Sequence, residues 1–315
     1  MGIFFEQFAQ AITAGILLGC IYGMMCVALA LIFGIMGVIN FAQADFMMVG
    51  MYLALLLFTK LLANTFLGLA APFVAALMIG PVLFLIGYVL HRLLISPTTG
   101  GSVANQVEAH QAQLILTLGL ALILQNAAVL LAGSAPVSII SPFSSAAWQF
   151  PLLFDDFSAV FINKPRAFDA LICVVISAAV FWLIRSSRVG KSLRAAADNP
   201  TASIYMGIDV DRAHRLAFGA GTAIAGVAGG LLVLYYPVQP FVGSDFLIIM
   251  YAGVVLGGLG SIVGAFWGGF AIALVQQLST LILPLQLQNA TIFVAFLLLL
   301  LLRPQGFFGR SADRA

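Results

Sequence analysis

Residues 10–34 read QAITAGILLGCIYGMMCVALALIFG and contain no charged side chain. A helix needs ~20 consecutive apolar residues to cross a bilayer, so this run crosses, and it decides the class of the chain. Eight more apolar runs follow, near 46–58, 66–90, 113–132, 169–184, 216–236, 246–259, 262–283 and 290–302, which makes nine. Over 315 residues the hydrophobic fraction is 63%, while Asp, Glu, Lys and Arg together make 8%; an ordinary soluble domain is about a quarter charged. A soluble enzyme cannot bury that much apolar surface. The runs are continuous, whereas a transmembrane barrel needs alternation. The expected fold is therefore an all-α polytopic membrane protein of eight or nine transmembrane helices, forming one domain over 1–315.

Charge sets the orientation. The net charge of +2 leaves no nucleic-acid footprint and no acidic tail. Basic residues are retained on the cytoplasmic side. With the N-terminus outside and nine crossings, Arg92, the six basic residues from Arg185 to Arg215, and Arg303, Arg310 and Arg314 fall inside, ten against the three of Lys60, Lys164 and Arg166. The C-terminal tail is then cytoplasmic. Glu6 is the only charge before the first run, so the basic start of a secretory signal is missing and helix 1 is expected to be retained.

Neither cofactor nor metal is expected. Cys20, Cys26 and Cys173 lie inside apolar runs without Cys-x-x-Cys spacing. Gly190, Lys191 and Ser192 end like a P-loop, but Arg185 stands where its first glycine is required. Gly257, Gly258 and Gly260 lie between apolar helices, not in a dinucleotide-binding unit. His91, His110 and His214 are scattered among connections and read as surface residues.

Laid on itself with a shift of 200, the chain aligns Leu31, Val38, Phe41, Asp45 and Phe46 with Leu231, Val238, Phe241, Asp245 and Phe246. Five crossings separate helix 1 from helix 6 in this count, so a repeat would be inverted, with an axis in the membrane plane. The runs 46–58 and 246–259 give only about 20 Å of helix at ~1.5 Å per residue, against a ~30 Å hydrocarbon core. Matched short segments in two halves point to broken helices 2 and 7 lining a pathway. The preceding stretches, NFAQADF (40–46) and YPVQPFVGSDF (236–246), carry the Asn, Gln, Pro and Gly of irregular backbone. Asn40, Gln43, Asp45 and Asp245 are the candidate pathway residues. For the two acids a second reading stands beside it, that each caps the helix beginning at Phe46 or Phe246.

Small residues at four-residue spacing let helix backbones approach closely in lipid. Gly15, Gly19 and Gly23 form such a face on helix 1, Gly226 and Gly230 on helix 6, and Gly260, Gly264 and Gly268 entering helix 8. The connection 185–215, RSSRVGKSLRAAADNPTASIYMGIDVDRAHR, has helix formers from Lys191 to Ala197, then Asn199 and Pro200 to start a second short helix, and Gly207 to stop it. Two readings fit: a topogenic basic loop, or a docking element whose short helix fills a groove on a partner.

The order GVINFAQADF, LTLGLALILQN, GKSLRAAADNPTASIYMGID, VVLGGLGSIVGAFWGG and LLRPQGFFG resembles the LivH-type permease subunits of branched-chain amino acid ABC importers along nearly the whole chain. That resemblance implies a non-catalytic permease of the bacterial inner membrane. It implies a second permease copy or LivM-like paralogue as dimer partner, two cytoplasmic ATPases that hydrolyse ATP, and a periplasmic substrate-binding protein. It also assigns the ATPase-coupling loop to Arg194, Ala195, Ala196, Ala197, Asp198 and Gly207. Two departures bear on the substrate: Gln43, Ala44 and Asp45 stand where the family usually has His, Gly and an acid, and LLISPTTGGS replaces a basic Tyr-Arg-Pro connection. Branched-chain amino acids, urea, amides and aromatic acids stay open. A different class, an ion-coupled secondary transporter working alone, would show acid, base or His relays in several helices, and the runs are nearly bare of them.

Overall fold

The computed structural model describes residues 2–62, 68–99, 106–139, 146–151, 159–284, 287–303 and 306–309. The first apolar run is one long helix, α1 (Gly2–Met36), ended by Gly37 at φ +67°, a conformation that side chains with a Cβ resist. After a non-helical step comes α2 (Gln43–Leu57), which continues as a π-helical turn, Phe58–Leu62. Then α3 (Ala71–Leu90), with Pro72 in its first turn, runs through a second π-helical turn, His91–Ile95, into the single turn α4 (Ser96–Thr99). Next is α5 (Gln106–Ala132), closed by Gly133 at φ +80°.

A two-stranded antiparallel hairpin follows, β1 (Ala147–Pro151) with β2 (Ala159–Asn163). No strand was expected in this connection. Its two short runs, AWQFP and AVFIN, are too brief to register in a search for spans. Asn163 then caps α6 (Lys164–Ser186), Ser187 caps α7 (Arg188–Asp198), and Asn199 caps α8 (Pro200–Tyr205), each side chain accepting from a backbone N–H three residues on. The chain finishes with α9 (Val210–Leu232), α10 (Val242–Gly257), α11 (Ile262–Ser279) and α12 (Gln288–Leu302).

Among the described residues, six helices are long and apolar enough to cross a membrane: α1, α3, α5, α6, α9 and α11. α10 and α12 are shorter apolar helices, and α2 has 15 residues. The centre of the bundle is α1 with α9: 78% of the apolar window of each is buried, against 17% for α5. α1 lies against α11 and α9 against α3; α2 packs on α9 and α10 on α1; α2 meets α10. Around these, α2 touches α3 and α5, while α10 touches α11 and α12.

Small residues set these distances. A Cβ on Gly15, Gly19 or Gly23 would strike Leu274, Phe270 or Phe266, so the stripe on α1 receives three large knobs at matching spacing on α11. Gly226 faces Leu83, and Gly230 faces Ala76. Gly264 and Gly268 face the carbonyls of Gly257 and Gly253 across α10–α11. Gly260 departs from expectation, since it lies before α11 in the turn, at φ +89° with open space around it. The tightest approach in α2 is Gly50, where a Cβ would run into the carbonyl of Gly226.

The two ends of the bundle are distinct. At one, Gly34 of α1, Arg194 of α7, Ser261 before α11 and Phe308 border shared cavities. Phe307 and Phe308 donate their N–H groups to the carbonyls of Leu256 and Gly257, at 2.9 and 3.1 Å, which seats residues 306–309 on that turn. At the other end, Gln10 clips β2 by two bonds of 2.9 Å to Phe161 N and O. Arg310 and Arg314 lie outside the described residues. So does the side chain of His110.

Candidate functional site: a polar seam at the start of two short helices

The step between α1 and α2 is held by its own polar side chains. Asn40 accepts from Ala42 N at 3.1 Å and donates to Gln43 Oε1 at 3.0 Å. Gln43 in turn donates to Gly221 O of α9 at 3.0 Å. Tyr251 of α10 donates to Asn40 O at 2.9 Å, and Thr117 of α5 accepts from Phe41 N at 3.3 Å. Asn40 and Gln43 are buried, 2% and 0% exposed. Their bonds tie the step to α9 and α10.

The acids are not caps. α2 begins at Gln43 and α10 at Val242, with Ala42 and Phe241 at the cap positions and no side-chain cap bond at either. Asp45 and Asp245 each fall within the first turn, where a carboxylate is favoured by the helix dipole. The apolar runs begin at Phe46 and Phe246, but the helices begin earlier, at Gln43 and Val242. Asp45 is buried and accepts from Gln125 Nε2 of α5 at 2.9 Å; the same nitrogen lies 3.5 Å from Ser244 Oγ of α10. A Cβ on Gly243 would sit 2.6 Å from Asp45 Oδ1. The starts of α2 and α10 therefore touch, with Asp45, Gln125 and Ser244 at the contact. Asp245 is exposed beside it, next to Phe246, whose ring packs against Tyr22 and Tyr236. Gln125 was not anticipated. Its signal was the amide pair Gln125 and Asn126 deep in the run 113–132.

A second buried polar group was missed. Asp169 in α6 is fully buried with neither oxygen hydrogen-bonded, one turn from Arg166, whose guanidinium lies 4.9 Å from the Tyr235 ring centre. In the sequence it marks only where an apolar run begins. His91 and His214 also depart from the expected scatter. Their rings are 6.4 Å apart, and His91 is fully buried against Phe218, because α3 and α9 pack along their lengths and bring both connections together. No group of three or more metal-ligating side chains occurs among the described residues.

The expected coupling loop is the pair α7 and α8. Gly207, at φ +79°, closes α8. Ala196 is fully buried, with Leu193, against the body of the protein, so it is not on an outward face as a docking role requires. Arg194 and Asp198 are exposed, and Ala195 and Ala197 half-buried. What stands out instead is Ile204, Tyr205 and Met206, which are 62%, 85% and 82% exposed at the end of α8. Three consecutive apolar residues in an otherwise polar connection were the available signal.

This arrangement of apolar helices, two of them short and meeting at their starts, with a polar seam between, defines a multi-pass α-helical membrane protein. Residues 11–302 match the family model described as "Branched-chain amino acid transport system / permease component". The chain belongs to that family. It is 30% identical over 311 residues to the high-affinity branched-chain amino acid transport system permease protein LivH of Escherichia coli (strain K12), covering 97% of each. It is 28% identical to BraD, the corresponding permease protein of Pseudomonas aeruginosa, over 96% of each. A probable LivH of Methanocaldococcus jannaschii is 30% identical over 76% of this chain and 71% of its own. No solved structure matches significantly.

Proposed function

We propose that the chain is the translocation subunit of an ATP-driven importer of branched-chain amino acids or related small polar solutes in the inner membrane of a bacterium. The observation that carries this is the apolar tip Ile204, Tyr205 and Met206, exposed to water on a loop whose base is packed by Leu193 and Ala196. A soluble partner with a groove accounts for such a tip. The partners are two cytoplasmic ATPases, a second permease, either self or LivM-like, and a periplasmic binding protein. The binding protein supplies affinity, so the pathway needs only weak sites that release solute. Asp45 with Gln125, Ser244 and Asp245 is the pathway cluster.

Nine crossings with an inverted repeat belong to the same reading. Exchange α1, α2, α3 and α5 with α9, α10, α11 and α12. The contacts α1–α11, α2–α9, α2–α3 and α2–α5 become α9–α3, α10–α1, α10–α11 and α10–α12, each of which is present. α1, α2, α3, α5 and α6 precede α9, an odd number, so the second copy is inverted. The N-terminus is then periplasmic, and the tail shares the cytoplasmic end with α7.

The test is to purify the chain from its own membranes, identify what co-purifies, and measure solute uptake in proteoliposomes with and without ATP. Uptake that requires ATP and the co-purified ATPases is expected. Concentrative uptake by the chain alone under a sodium or proton gradient overturns the proposal in favour of a secondary transporter.

A further inference from the structure

Between the ends of α1 and α6, the start of α11 and the flank of α7 lies a cavity of about 440 Å³. It adjoins a second, of about 770 Å³, with Gly34, Arg194, Ala197, Gly260 and Ser261 in both walls. The combined space has a strongly divided lining. One wall is apolar, made by Leu31 and Ile35 of α1, Phe181 of α6 and Val263 of α11. That wall is open on its outer side, where Phe181 and Val263 are 38% and 37% exposed. The other end is basic, with Arg185, Lys191 and Arg194 set against a single acid, Asp198.

The cations are held but not neutralised. Arg194 donates to the carbonyl of Arg185 at 3.1 Å, and the Arg185 guanidinium lies 6.0 Å from the Phe181 ring centre. Among the described residues the ion pairs are those of Arg215 with Asp209 and Asp211, which lie elsewhere. Two arginines bordering one cavity suit a phosphate, which guanidinium groups bind in planar, bidentate fashion. A free phosphate has no use for the apolar wall. A cytoplasmic protein does not reach a wall open on the outer side of α6 and α11. A molecule with a phosphate at one end and hydrocarbon at the other fits both.

We propose that this cavity binds an anionic phospholipid of the cytoplasmic leaflet, its phosphate between Arg185 and Arg194 with Lys191 at the rim, and an acyl chain along Phe181 and Val263. Basic pockets between helices at a cytoplasmic surface take such headgroups. The lipid would tie α7 to α1, α6 and α11, so it braces the base of the loop whose tip is proposed to couple to the ATPase. The leaflet assignment rests on that functional reading; the lipid chemistry does not.

The test uses the transporter as purified with its co-purifying subunits, in nanodiscs of phosphatidylglycerol with phosphatidylcholine, and counts retained lipid by native mass spectrometry. Each surface cation contributes about a fivefold gain in anionic-lipid affinity, so Arg185→Gln with Arg194→Gln should weaken phosphatidylglycerol retention about 30-fold. Arg212→Gln, exposed outside the cavity, should leave it unchanged. Equal retention by the double variant, retention of phosphatidylcholine as tight as phosphatidylglycerol, or displacement by millimolar inorganic phosphate overturns the proposal. A photoreactive phosphatidylglycerol on the unmutated protein covers failure of the variant to assemble: labelling of peptides around Phe181 and Val263 supports the site, and labelling confined elsewhere refutes it. The readout is lipid, not transport. If no ATPase co-purifies yet lipid is retained through Arg185 and Arg194, the importer reading fails and the lipid site stands.

Discussion

Replacing Asp45 by Asn changes charge while keeping shape, and the structure says what that should do. The carboxylate is buried and takes one bond, 2.9 Å from Gln125 Nε2. An Asn carbonyl can accept the same bond. Hydrogen bonds to charged groups contribute about 1.5–3 kcal/mol and neutral ones about 0.5–1.5, so the substitution should lower stability by about 1 kcal/mol and leave assembly nearly intact. The N-cap is Ala42, so no capping bond is lost. A charge that attracts a substrate ammonium, or that holds the contact between the starts of α2 and α10 closed, is lost completely. Asp45→Asn should therefore show near-normal yield and thermal unfolding in detergent, with ATP-dependent uptake of labelled leucine in proteoliposomes reduced at least tenfold. Asp245→Asn, exposed and without that bond, should unfold like the parent. Wild-type uptake by a well-folded Asp45→Asn variant would refute the argument and leave Asp45 as an acceptor for Gln125 alone.

Three further outcomes are expected. Gly50→Ala drives a Cβ into the Gly226 carbonyl and should destabilise by about 1–3 kcal/mol, whereas Gly119→Ala, with nothing within 4 Å, should be neutral; matched unfolding curves for the two would undo the close-packing account of α2 on α9. Met206→Glu, at a site 82% exposed, should preserve folding and separate ATP hydrolysis from uptake, and fully coupled uptake by that variant would refute the docking tip; Ala196→Arg, fully buried, should prevent folding, and an Ala196→Arg protein that folds and transports would refute its place in the core. Reporter fusions in the 134–168 connection and at the C-terminus should lie on opposite sides of the membrane; finding them on one side removes the odd crossing number and the inverted repeat.

The helices were legible because each apolar run in lipid is forced to satisfy its own backbone, so length and charge alone mark where α1, α3, α5, α6, α9 and α11 lie. The ends of α7 and α8 were legible too, since Ser187, Asn199 and Gly207 act through local geometry. Contacts between distant segments were not. That Gln125 would reach Asp45, or that Ala196 would pack on the body of the protein, depends on how α5 leans on α2 and how α7 lies on α1 and α9. The covered face of α7 could be read from Leu193 and Ala196, three residues apart among charged and polar neighbours, but what that face packs on could not. Asp169 shows the same limit: in sequence it marks an edge, and only packing buries it.

The two non-helical steps before α2 and α10 raise a sharper question, because irregular backbone at membrane depth survives only where protein covers it or water reaches it. They solve it differently. Residues 37–42 rely on side chains: Asn40 bonds Ala42 N and Gln43 Oε1, with α9 and α10 closing the cage through Gly221 and Tyr251. The step before α10 uses backbone, with Val238 exchanging bonds of 3.0 and 2.8 Å with Val137 in an isolated antiparallel bridge. At a shift of 200 the counterpart of Asn40 is Pro240, which has no donor to contribute. Asn40→Ala should therefore orphan a buried N–H and a buried amide oxygen, at about 1–3 kcal/mol, and lower the unfolding temperature in detergent. Gln239→Ala, in the second step, removes a half-buried side chain from a segment held by its backbone and should change it little. If the two substitutions destabilise equally, the first step is not held by Asn40, and the seam between α2 and α10 must be supported by the helices alone.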